Sequence, residues 1–110
     1  MMNLQIHAKE VTLNDNTKAH IESAVESLKK YKLDVTTTNV NIAKQKQGVL
    51  VEFDCHIAHA QPIVISQTDD SLETAIDLAV ERVSKAFRRL HDKMVSKDSD
   101  SIKNLEVLED

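Results

Sequence analysis

The sequence predicts an α+β domain of order β-α-β-β-β-α, a four-stranded sheet with two helices packed on one face. Three observations predict it. Four short stretches carry the alternation or β-branched content of strands, two longer stretches repeat apolar residues every three or four positions, and all six follow in that order along 110 residues with one glycine and one proline. A chain of this length buries a single modest core, so one domain is expected over 1–97, with an acidic, disordered tail at 98–110.

Residues 3–8 place Leu4, Ile6 and Ala8 on one face, the period of a half-buried strand. From about Asp15 to Lys32 the apolar positions Ile21, Ala24, Val25, Leu28 and Tyr31 predict a helix, with Asn14 or Thr12 available as its cap. Segment 36–44 sets Val40 and Ile42 against Asn39 and Asn41 and is rich in β-branched residues. A hairpin loop at 44–48 then uses the only glycine, Gly48, where a positive φ is most often needed. Segment 49–58 turns Val49, Val51, Phe53, Cys55 and Ile57 inward, Ala60-Gln61-Pro62 reverses the chain, and 63–67 is the fourth strand. Asp69 or Asp70 caps a second helix running to about Ser96, whose apolar residues Leu72, Ile76, Ala79, Val83, Phe87, Leu90 and Met94 step by threes and fours.

Charge is unevenly spread. Fourteen Lys and Arg against 18 Asp and Glu give a net charge of −4, which taken whole argues against a nucleic-acid partner. Residues 1–97, however, hold 13 bases and 13 acids, and 98–110 hold Lys103 against Asp98, Asp100, Glu106, Glu109 and Asp110. The imbalance therefore lies in the tail. The second helix is itself polarised, with Asp69, Asp70, Glu73, Asp77 and Glu81 before Arg82, Lys85, Arg88, Arg89, Lys93 and Lys97. Acids at a helix start and bases at its end complement the macrodipole, which accounts for the order of the charges but not for their angular position. At 100° per residue Arg82, Lys85, Arg89 and Lys93 fall within an arc of about 80° beside the apolar stripe. Four cations on one stripe repel one another unless an anion lies alongside. Lys18, Lys29, Lys30 and Lys32 form a second group on the first helix, and the two groups border one positive groove if the helices pack side by side.

A solvated basic face is the plain alternative to a phosphate-backbone track. Phe53 and Phe87 sit at core positions and leave Tyr31 as the one free aromatic, so a base-stacking platform is not expected, and structured RNA read by shape and phosphate fits better. Other chemistries find little support. Cys55 and His56 point to opposite faces of a strand, so Cys55-His56-x-x-His59 does not form a soft metal site, and Cys55 is expected as a buried small hydrophobe. Capping explains Asp69-Asp70, and one glycine excludes a glycine-rich phosphate loop. Neither an enzyme nor a bound cofactor or metal is expected. A single cysteine, apolar runs of three residues and an N-terminus without a basic, apolar leader point to the cytoplasm and away from membranes.

The opening Met2-Asn3-Leu4-Gln5-Ile6, the segment Leu28-Lys29-Lys30-Tyr31, and the run Ala75-Ile76-Asp77, Arg82-Val83-x-Lys85 and Arg89-Leu90-x-x-Lys93 together resemble the bacterial ribosome hibernation factor family. This is the group of short hibernation-promoting factor and ribosome-associated inhibitor A (protein Y), formerly labelled sigma-54 modulation protein. The resemblance covers about 1–95, with Ser71-Leu72-Glu73 and Ser27 as departures from the family's pattern. It implies a fold similar to double-stranded-RNA-binding domains and a non-enzymatic protein, monomeric off the ribosome. Its implied partners are the small ribosomal subunit and 16S rRNA in the decoding region, where it blocks tRNA and mRNA under stress or in stationary phase. Lys30, Arg82, Lys85, Arg89 and Lys93 match the family's basic positions and are the expected rRNA contacts, with Lys18, Lys29, Lys32 and Arg88 added from the charge pattern. The acidic tail is similar to that of the inhibitor-A branch, whose members oppose ribosome dimerisation. A protein-interaction regulator such as a sigma-54 modulator is the alternative function.

Overall fold

A computed structural model describes residues 3–99, with side chains as far as Val95. Its elements are β1 (Asn3–Lys9), α1 (Asp15–Ser27), a 3-10 turn (Leu28–Tyr31), β2 (Val35–Lys44), β3 (Val49–Ile57), β4 (Ile63–Asp69) and α2 (Leu72–Ser99). The α+β class and the β-α-β-β-β-α order are those expected. Residues 100–110, most of the predicted acidic tail, lie outside the described part.

The sheet order is β1-β2-β3-β4, with β1 parallel to β2 and the remaining neighbours antiparallel. Register follows the alternation of the sequence. Ile6, Val40, Phe53 and Ile65 stand opposite one another across all four strands on the helix side, and Gln5, Asn39, Asp54 and Val64 form the neighbouring row on the open side. A one-residue slip would exchange these faces, so burial of one of them fixes the pairing. At the start of β2 the register shifts between Val35 and Thr37, and this irregularity lets both Val35 and Thr38 be buried although they are three residues apart.

The core is built from Val40, Ile42, Val51, Phe53 and Cys55 of the sheet, Ile21, Val25 and Leu28 of the first helical segment, and Ala75, Ile76, Ala79, Val83 and Phe87 of α2. Burial raises the Cys55 thiol to about 11, against a lowering hydrogen bond from Thr38, so this cysteine sits in the core as a neutral side chain.

Local contacts set the element ends, one as expected from the sequence and others not. Asn14 is the α1 cap, its side chain accepting from the Thr17 amide at 2.7 Å. The helix tightens into a 3-10 turn at Leu28 and stops at Lys32, which takes the left-handed conformation (φ 57°) and donates its amide to the Lys29 carbonyl at 3.0 Å. The α2 cap is Ser71, not Asp69 or Asp70: its hydroxyl accepts from the Thr74 amide at 3.3 Å, while the Asp69 carboxylate accepts from the Ser71 amide at 3.0 Å. Asp69 is kept out of the cap because β4 extends to it, pairing it with Val49.

Gly48 closes the β2–β3 hairpin at φ 95°, and a Cβ there would stand 2.4 Å from the Asp69 carbonyl oxygen. Both the backbone conformation and the space exclude a side chain. Gly48→Ala is expected to cost about 2 kcal/mol, read as a lower urea midpoint with an unchanged slope.

Candidate nucleic-acid interface

The position of α2 decides which charges meet. Its buried stripe seats on β3 and β4, leaving two flanks and an exposed back. One flank turns toward α1: the His20 Nε2 atom lies 2.7 Å from Asp77 Oδ1, and the Tyr31 ring meets Phe87 edge-on, centroids 6.3 Å apart and planes at 79°. The other flank turns toward β4. There Arg82 donates through one terminal nitrogen to the Ser66 carbonyl at 2.6 Å and to the Gln67 side-chain oxygen at 3.2 Å. A guanidinium carries five N–H groups, so the remaining donors of Arg82 are held in a fixed direction and are open to an acceptor oxygen.

Further along this flank, Arg89 and Lys93 border an open cleft of ≈ 470 Å³ between the end of α2 and the β3–β4 turn. Its walls are Ala60, Pro62 and Ile63 on one side and Ala86, Leu90 and Met94 on the other. Lys85 stands 4.0 Å from Glu81, a loose contact between two exposed groups. Among the described residues Arg88, Arg89 and Lys93 have no carboxylate in ion-pair range.

Arg82, Lys85, Arg89 and Lys93 therefore share one exposed flank. Lys18, Lys29, Lys30 and Lys32 belong to the other side of α2. The seam between the helices carries the His20–Asp77 pair, and the stripe that holds Arg82 lies on the flank away from it, against β4. The reason is tertiary: the acidic flank of α2 faces α1, and the basic flank faces the outer strand. Lys29 is paired with Glu26 at 2.9 Å, and the Lys30 ammonium lies 5.3 Å from the centre of the Tyr31 ring. Tyr31 is not the free aromatic expected, because it is half-buried against Phe87. Helical geometry places Arg88 about 20° around α2 from Asp77, on the exposed side toward α1, at the level where Tyr31 meets Phe87.

The residues 4–95 match the family described as Sigma 54 modulation protein / S30EA ribosomal protein. The chain belongs to this family. Solved structures agree on the fold. The N-terminal domain of Thermus thermophilus protein Y superposes with a TM-score of 0.72 at 18% identity, covering 80% of this chain and 98% of that one. A ribosomal subunit interface protein from Coxiella burnetii gives 0.74 at 11% identity, covering 82% and 97%. No curated protein sequence matches significantly. In this S30EA-family chain, no helix among the described residues is long and apolar enough to cross a membrane. The family match runs from β1 through most of α2, so Lys18, Lys29, Lys30, Lys32, Arg82, Lys85, Arg88, Arg89 and Lys93 all lie inside it.

Proposed function

We propose that the chain is a hibernation factor that binds the small ribosomal subunit through 16S rRNA of the decoding region. There it occupies the ground that tRNA and mRNA would use and silences translation in the cytoplasm under stress or in stationary phase. It acts by occupancy, without catalysis, and as a monomer when off the ribosome. The observation that carries this reading is the exposed flank of Arg82, Lys85, Arg89 and Lys93, with Arg88 beside it, in a chain of the S30EA family. Cations gathered on one flank and acids turned to the other make a surface suited to a phosphate backbone rather than a generally charged helix. The Coxiella relative is described as a ribosomal subunit interface protein, which supports the same partner. The groups on the first helical segment, Lys18, Lys29, Lys30 and Lys32, serve as a second contact, with Arg88 on the side of α2 toward them.

Sucrose-gradient co-sedimentation with separated small and large subunits tests this reading. The protein is expected to travel with the small subunit, and its affinity to fall steeply with salt. Five phosphate contacts give a log–log slope of about −4, hence roughly a 250-fold loss between 50 and 200 mM salt. Protein that stays at the top of the gradient at low salt ends the ribosome reading. The family description also carries the sigma-54 label, and a protein partner held on apolar surface would show a much shallower salt dependence.

A further inference from the structure

We propose that the cleft between the β3–β4 turn and the end of α2 is a docking site for this chain's own acidic segment, residues 105–110. Three observations lead there. The cleft is walled mainly by apolar residues, Ala60, Pro62 and Ile63 facing Ala86, Leu90 and Met94, with His59 and Gln61 of the turn between them and a cationic rim of Arg89 and Lys93. Such a composition suits a ligand that is both apolar and anionic. The segment has that chemistry: Leu105, Val107 and Leu108 are interspersed with Glu106, Glu109 and Asp110.

Position supplies the third observation. Met94 and Lys93 line the cleft, and α2 ends at Ser99. Five residues at 1.5 Å each put the helix end about 7.5 Å beyond Met94. Residues 100–103 span up to about 14 Å when extended, enough to reverse direction and return Leu105 to the cleft. A segment tethered so close meets the cleft at a high effective concentration, so weak contacts suffice to hold it.

Arg89 and Lys93 belong to the flank assigned above to rRNA, so the docked segment and the phosphate backbone compete for the same cations. The docking is independent of the ribosome reading; the competition rests on it. In this arrangement the acidic segment screens the flank from indiscriminate polyanions and yields to a surface that engages the whole stripe.

A nitroxide on Asp110→Cys tests the docking in the full chain. Cys55 is fully buried with its thiol raised to about 11, so labelling is confined to the new cysteine. The label is expected to broaden the amide signals of Ile63, Ala86 and Leu90 and to spare Gln5 and Asn39 on the open face of the sheet. Adding Leu105→Ser/Leu108→Ser removes the broadening and raises small-subunit affinity about fivefold, as follows when the segment covers the cleft about four-fifths of the time. Broadening that is equal on both faces overturns the proposal, as does broadening that survives the serine pair. Broadening that passes only from a labelled copy to an unlabelled one assigns the cleft to a second copy and also overturns it. Specific broadening without small-subunit binding by either form upholds the docking and removes the ribosome reading instead.

Discussion

Lys85→Glu/Arg89→Glu is expected to weaken small-subunit binding by about two orders of magnitude while leaving the fold intact. Both side chains are exposed on the flank of α2 that turns toward β4, and neither holds a buried partner. Their reversal places two anions within one helical turn of each other where the proposed contact needs cations. The salt slope changes with the affinity, from about −4 to about −2.5, because two of five counterion-releasing contacts are gone. That change separates a lost phosphate contact from a damaged protein, which would lose affinity without a change of slope. Arg82 is a poorer choice for this test, since its bonds to Ser66 and Gln67 tie it to β4 and mix binding with stability. Lys44→Glu/Lys46→Glu changes the net charge equally at the β2–β3 hairpin and serves as the control. An equal loss there would move the contact surface off α2.

Phe87→Ala is expected to be the most damaging single change to the fold, at about 3–5 kcal/mol. The ring is fully buried in the α2 stripe and meets Tyr31 edge-on, so it joins α2 to the 3-10 turn as well as to the sheet. Against a total stability of about 5–15 kcal/mol this approaches the whole margin of a small domain. For about 100 residues each kcal/mol lowers the melting temperature by about 4–8 °C, so thermal unfolding followed by circular dichroism should move down by roughly 12–40 °C. Tyr31→Leu keeps the apolar bulk and loses only the ring geometry, worth about 0.5–1.5 kcal/mol. A small shift for Phe87→Ala would mean that the 3-10 turn is anchored elsewhere.

Much of this fold is legible in the sequence because its periods are clean. Val51, Phe53, Cys55 and Ile57 alternate without interruption, and the α2 stripe from Leu72 to Phe87 keeps its three-four step, so a reader of the sequence alone places both inner faces. Val35 was not legible, because the register shift beside it breaks the period of two that alternation relies on. Ser71 is not legible as the α2 cap because the two preceding aspartates are equally good caps by type, and only the pairing of Asp69 in β4 decides among them. The composition of the basic flank was legible from helical angles alone. Its separation from Lys29 and Lys30 was not, because that depends on which flank of α2 meets α1, a fact set by strand order and not by any property of the helix. The state of Tyr31 is lost for the same reason: its partner Phe87 is 56 residues away in sequence.

The Arg82 bond to the Ser66 carbonyl has a consequence for the molecule in a crowd. β4 is an outermost strand of the described sheet, and an edge of this kind offers its backbone groups to any passing strand. Here one of those carbonyls is already held by a cation, and an approaching chain must first displace a guanidinium and bring its own backbone past a row of positive charge. The basic flank of α2 thus also covers part of this outer edge of the sheet.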